Sequence, residues 1–313
     1  MTAPRILQIG RLLPALETTL STDYAVHRLA DEADPQAFLA REGAGFNAVV
    51  TSAGVGINAQ TIAALPNLRV ISSFGVGFDK IDVAAARARG IPVGYTPDVL
   101  NDCVADTAFG LVIDAARRFS DSDRYLRRGD WLKAPYPLAT RVSGKKLGIV
   151  GLGRIGRVIA RRASGFDMEV RYHNRRPVAD VDFGFESTLE GLARWADFLV
   201  VAAAGGAESR HLISREILAA LGPKGFLINI ARGTVVDEQA LTEALENKTI
   251  AGAGLDVYED EPRVPARLIA CENAVLLPHL ASGTHETRQA MGDLVLQNLR
   301  SFFATGQVAV AVP

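Results

Sequence analysis

The sequence predicts an α/β protein built on parallel sheets, and three observations carry that expectation. Short apolar runs alternate with helical patterns along almost the whole chain. The runs are apolar on both faces, as strands covered by helices on each side must be. One of them leads through a glycine loop directly into a helix. In chain order, strands are expected at residues 6–9, 48–50, 70–71 and 92–93, with helices near 59–65 and 83–89. The pattern divides near Pro97. Beyond it, Asn101 or Asp102 can cap a long helix with Val104, Ala108, Leu111, Val112 and Ala115 on one face. Apolar runs follow at 147–150, 169–172, 198–202, 225–230, 252–257 and 274–277. A last long helix begins near Thr284, with Met291, Leu294, Val295 and Phe302 at helical spacing. It comes too late to complete the central unit and is expected to return to the N-terminal one. The expected division is therefore residues 1–98 plus 283–313 in one domain and 99–282 in the other, with the cleft between them as the site.

Length and charge set bounds on function. A chain of 313 residues accommodates two domains, and 48% hydrophobic residues suffice for buried sheets. The formal net charge of -1 offers no field for nucleic acid or anionic lipid, so any bound anion needs a local cluster. Cys103 and Cys271 make neither a disulfide framework nor a metal spacing, and no metal is expected. Met1 leads through Arg5 into the first strand without the apolar core of a signal peptide. No run approaches the roughly 18 apolar residues of a membrane span. A cytoplasmic protein with no membrane partner is expected.

Gly151-Leu152-Gly153-Arg154-Ile155-Gly156 follows a strand and opens a helix, which is the context a dinucleotide fingerprint requires. Gly151 allows the tight turn, Gly153 lets backbone approach a pyrophosphate, and Gly156 lets helix pack on strand. The helix N-terminus supplies amides and partial positive charge. After the next strand an NAD site usually carries a carboxylate for the ribose 2′-hydroxyl. This chain instead reads Asn174-Arg175-Arg176. Arginine can make two charge-assisted hydrogen bonds to a 2′-phosphate, so NADP(H) is the expected cofactor.

Three polar residues follow strand-like runs in the second half: Arg232, Glu261 and His279. Hydride transfer to a ketone leaves charge on an oxygen that must gain a proton, and histidinium is the natural acid. A carboxylate on its far nitrogen favours the charged form and fixes the ring, while an arginine binds a substrate carboxylate and polarises the carbonyl.

The chain resembles the D-isomer-specific 2-hydroxyacid dehydrogenases over nearly its full length, most closely their glyoxylate/hydroxypyruvate reductase branch. The likeness is carried by Gly75-Val76-Gly77-Phe78-Asp79-Lys80-Ile81-Asp82, the loop Gly151 to Gly156, Asn229-Ile230-Ala231-Arg232-Gly233, Gly254 to Pro262, and Pro278-His279. The resemblance implies two Rossmann-like domains, a flavodoxin-like substrate domain and a doubly wound dinucleotide-binding domain. It implies reduction of a small 2-oxo acid to the D-2-hydroxy acid, with Arg232 on the substrate, Glu261 as partner carboxylate and His279 as acid/base. It assigns Asp256 to the nicotinamide carboxamide, puts Ile230 among the cofactor contacts, and gives the substrate carboxylate to Val76, Gly77, Gly54 and Val55. A homodimer is implied as well.

One departure has no reading at this level: many members carry a proline where this chain has Ala202-Ala203-Ala204-Gly205-Gly206. Two alternatives remain. An aromatic 2-oxo acid reductase acting on hydroxyphenylpyruvate would use Tyr136, Trp131 and Leu138, which in the family can reach a neighbouring subunit's site. A dinucleotide-binding corepressor would share the architecture, although the long extensions of such proteins are missing here.

Overall fold

The computed structural model describes residues 4–313. Residues 1–3, where the first expected domain starts, lie outside the described part. The described chain forms two compact units, one running to Leu100 and completed by Gly283–Pro313, the other formed by Asn101–Ser282.

The first unit holds β1 (Arg5–Gln8), β2 (Ala25–Arg28), β3 (Ala48–Ser52), β4 (Val70–Phe74) and β5 (Val93–Gly94), parallel in the order β2-β1-β3-β4-β5. β4 is buried throughout and β3 nearly so, which is why both read as continuous apolar runs. β2 was not anticipated: it lies at the sheet edge, half exposed, with His27 and Arg28 in its four residues. Leu7, Val49 and Ile71 meet Phe38, Phe46, Ile62 and Leu65 in the core. The helix His285–Thr305 is capped by Thr284, whose Oγ1 accepts from the Thr287 amide at 3.2 Å. It buries Met291, Val295, Leu299 and Phe302. Ser72 on β4 donates to the Val295 carbonyl at 3.2 Å, tying this helix to the sheet.

The second unit holds β6 (Lys146–Val150), β7 (Glu169–His173), β8 (Gly184–Phe185), β9 (Phe198–Val201), β10 (Phe226–Asn229), β11 (Gly252–Leu255) and β12 (Ala274–Leu276). All pair parallel in the order β12-β11-β10-β9-β6-β7-β8. The strand order reverses between β6 and β9, so a ligand crevice is expected outside the carboxyl ends of these strands. The helix Asn101–Arg117 starts at Asn101 itself. Neither Asn101 nor Asp102 therefore precedes it as a cap; Asp102 instead lies in the first turn, where a carboxylate suits the positive end of the helix. Its apolar face, with Val104, Ala108, Leu111, Val112 and Ala115, is buried. Leu192, Leu218 and Leu241, from helices Leu189–Trp195, Arg215–Leu221 and Glu238–Glu246, join one core with Leu199 and Leu227. Each such leucine contributes about 1.5–3 kcal/mol.

Between Arg117 and β6 the chain passes through helix Phe119–Arg127, none of whose residues is buried. Trp131, Leu132 and Leu138 beyond it are exposed. Tyr136 instead donates to Asp121 Oδ2 at 2.6 Å; burial, then that bond, push its phenol up to about 12.

Candidate active site

Outside β6 the glycine loop turns with Gly151 at φ 96°. A Cβ on Gly156 would lie 2.3 Å from the Gly151 carbonyl oxygen, so only glycine lets the helix Arg154–Ala163 sit this close to the turn. Around Gly153 the space is open: nothing lies within 4 Å of a Cβ built there. Arg154, Ile155 and Gly156 form the first helical turn, at the positive end of the helix dipole. The Leu152 amide donates to Asn174 Oδ1 at 2.7 Å, fastening the loop to the end of β7. An open backbone face beside the positive end of a helix fits a dinucleotide pyrophosphate. Past Asn174, Arg175 and Arg176 are exposed, and Arg175 Nη1 meets Glu208 Oε2 at 2.5 Å.

Arg232, Glu261 and His279 lie beyond the ends of the three neighbouring strands β10, β11 and β12. β10 ends at Asn229, a fully buried amide that braces the turn carrying Arg232. Its Oδ1 accepts from the Ala231 amide at 3.1 Å and its Nδ2 donates to the Arg232 carbonyl at 3.0 Å. Ile230, in the same turn, is buried. Arg232 Nη1 donates to the Ala231 carbonyl at 2.8 Å. A Cβ on Gly233 would lie 1.8 Å from the Tyr258 carbonyl carbon, so glycine allows this turn to press against the loop after β11.

That loop carries Glu261, whose Oε1 accepts from the Tyr258 amide at 3.0 Å. Its Oε2 stands 2.7 Å from His279 Nδ1. Burial pushes the Glu261 carboxyl up, but the His279 bond, the Tyr258 amide, and the charges of His279 and Arg232 outweigh it and hold it below the usual glutamate range. An anion at Nδ1 keeps a proton on that nitrogen and leaves Nε2 for proton exchange. Tyr258 also donates its hydroxyl to the Leu277 carbonyl at 2.9 Å, joining this loop to the end of β12.

His279 itself has φ 50°, an uncommon conformation for a side-chain-bearing residue. The residues after it are held by Asp256, fully buried, which accepts from the Leu280 amide at 2.7 Å and the Ala281 amide at 3.0 Å. Burial raises the Asp256 carboxyl despite both amides and the His279 charge. The immediate partner of Asp256 is thus the chain that fixes His279.

In the first unit, Gly54 and Val55 follow β3, and Val76 and Gly77 follow β4. The two loops are tied together: Lys80 Nζ donates to the Gly54 carbonyl at 2.8 Å, and the Ala53 amide to the Phe74 carbonyl at 3.0 Å. Among the described residues no cluster of His, Cys, Asp or Glu could hold a metal ion, and no helix is long and apolar enough to cross a membrane.

Sequence reasoning gave no role to Asn229, Tyr258, Lys80 or Glu208, although the first three lie in the motifs that carry the resemblance. Asn229 did leave a signal, as the polar end of the apolar run Phe226-Leu227-Ile228. Glu208 left none, because its partner lies 33 positions away.

The fold and this cradle define a dinucleotide-binding α/β protein. The family described as D-isomer specific 2-hydroxyacid dehydrogenase, NAD binding domain, matches residues 109–281. The chain is 45% identical over 299 residues to glyoxylate/hydroxypyruvate reductase A of Arabidopsis thaliana, covering 96% of each. It is 43% identical over 304 residues to hydroxyphenylpyruvate reductase of Plectranthus scutellarioides, covering 97% of each. The crystal structure of an NADPH-dependent glyoxylate/hydroxypyruvate reductase from Sinorhizobium meliloti, in complex with NADP and malonate, is similar with a TM-score of 0.94. That match has 41% sequence identity and covers 99% of this chain and 97% of that one. The chain belongs to the D-isomer-specific 2-hydroxyacid dehydrogenase family, in its glyoxylate reductase branch, and is an oxidoreductase with a nicotinamide dinucleotide as cofactor.

Proposed function

We propose that this protein reduces a small 2-oxo acid of the glyoxylate or hydroxypyruvate type to the D-2-hydroxy acid, using NADPH. The observation that carries the reading is the His279–Glu261 pair, 2.7 Å apart beyond the ends of neighbouring strands. The reduced dinucleotide, when bound, supplies the hydride. Arg232 binds the substrate carboxylate and polarises the carbonyl as negative charge develops on its oxygen. His279 gives that oxygen a proton, and the Glu261 carboxylate holds the imidazole oriented. Val76 and Gly77, with Gly54 and Val55, grip the substrate carboxylate.

For the cofactor, Gly151, Leu152, Gly153, Arg154, Ile155 and Gly156 receive the pyrophosphate, and Ile230 and Asp256 border the nicotinamide end. Asn174, Arg175 and Arg176 receive the 2′-phosphate. A hydrogen bond to a charged group contributes about 1.5–3 kcal/mol, enough for at least a tenfold preference over NADH. NADP in the similar Sinorhizobium meliloti structure supports this assignment. In domain terms, residues 1–98 with 283–313 bind substrate and 99–282 bind dinucleotide. A second copy of the chain covers the exposed Trp131, Leu132 and Leu138, giving a homodimer.

The test is kcat/KM for glyoxylate, hydroxypyruvate and phenylpyruvate, each with NADPH and NADH. The reading expects the two small acids and NADPH to be preferred. Preference for phenylpyruvate would favour the aromatic reaction of the Plectranthus scutellarioides relative. No turnover with any acid would favour a dinucleotide-binding protein without this activity.

A further inference from the structure

The segment after β9 reads Ala202-Ala203-Ala204-Gly205-Gly206, and the structure shows what its two glycines do. A Cβ on Gly205 would lie 2.6 Å from Arg232 Cγ, so glycine lets the segment run close along that arginine. Gly206 then takes φ 146° and ψ 178°, a backbone region essentially restricted to glycine. The turn Ala207–Ser209 follows, with Ser209 Oγ donating to the Gly206 carbonyl at 3.2 Å. On its far side the His211 amide donates to the Thr234 carbonyl at 2.8 Å, and His211 Nε2 meets the Glu259 carboxylate. The turn is anchored at both ends, and it presents Glu208 to Arg175 at 2.5 Å.

We infer that Glu208 is a specificity-determining residue: it occupies Arg175 in the free protein and must be displaced when a 2′-phosphate binds there. This rests on the proposed NADPH reading. Arg175 is 88% and Glu208 83% exposed, so their pair is weak, on the order of a two- to fivefold effect on an equilibrium. A phosphate offers arginine two charge-assisted bonds and wins. The displaced carboxylate is nevertheless left beside a dianion. NADH carries no phosphate and leaves the Arg175–Glu208 pair intact. Glu208 therefore narrows the preference that Arg175 creates, and it does so without touching the reacting atoms.

The test is direct binding of NADPH and NADH, by titration calorimetry, to the wild type, Glu208→Gln, Arg175→Ala and the double variant. Glu208→Gln should lower the Kd for NADPH about two- to fivefold and leave that for NADH within about 1.5-fold. In the Arg175→Ala background the same change should have little effect. If Arg175→Ala weakens NADPH selectively but Glu208→Gln changes nothing, the inference fails and the NADPH site stands. An equal gain with and without Arg175 would make Glu208 a bare repulsive charge, which also overturns the inference. If Arg175→Ala weakens both cofactors equally, the 2′-phosphate reading falls and takes the inference with it.

Discussion

At the ends of β10, β11 and β12 the functional side chains are braced from below by buried groups. Asn229 holds the turn of Arg232, Tyr258 holds Glu261, and Asp256 holds the chain after His279. At the end of β7 Asn174 is fastened to the Leu152 amide, but the Arg175 side chain beside it is exposed and, among the described residues, its ion pair is with another exposed side chain, Glu208. A reacting group misplaced by about 1 Å can lose a hundredfold in rate, so proton transfer needs rigid support. Choosing between two dinucleotides needs only a modest difference in charge, and exposed residues can supply it. The braced end therefore links rate to stability, whereas the exposed end adjusts discrimination almost independently of folding.

The largest expected effect lies at the braced end. His279→Ala should lower kcat by about 10²–10⁴ while leaving the Kd for NADPH unchanged; retained activity would remove His279 as the acid. Next, Arg175→Ala should raise the KM for NADPH about tenfold or more, with little change for NADH. Its thermal midpoint should not move, and a clear drop would show that the exposed end is structural after all. Asp256→Asn turns an amide group toward the N–H of Leu280 or Ala281 in place of an acceptor. Chemical unfolding should show a loss of about 1–3 kcal/mol, with kcat falling alongside. Full stability in that variant would erase the contrast between the two ends.

The smallest effect is a pH dependence. Glu261 is held below the usual glutamate range, so its contribution is present above the unfolded-state pKa and disappears as pH falls through the lower folded value. The urea midpoints of wild type and Glu261→Gln should differ steadily from about pH 7 to pH 5 and converge as pH falls through the lowered folded-state value. The difference will be modest because the Glu261 side chain is 34% exposed. Divergence in acid would contradict the assigned direction.

How legible each part was follows from where its information resides. The central strands β3, β4, β9, β10 and β11 are buried on both faces, so their apolar runs announced them. β2 and β8 are short, exposed edge strands whose pairing comes from neighbours rather than from their own residues. The glycine loop was legible because its spacing is local. Arg232, Glu261 and His279 could be nominated by chemistry but were joined only through family resemblance, since each is unremarkable alone. The bonds from Asp256 to Leu280 and Ala281 span 24 and 25 positions and depend on strand order, which no local pattern encodes.

The first unit also imposes an order on its own assembly. Ser72 and its partner Val295 are 223 positions apart, so β4 leaves the ribosome well before the helix that covers it. At about 5–20 residues per second the wait is roughly 10 to 45 s. The second unit, continuous from Asn101 to Ser282, emerges entirely within that interval and can fold first. A chain truncated before His285 and released from the ribosome should therefore keep a complete second unit while its first sheet lacks the helix that covers one apolar face, a natural client for a chaperone.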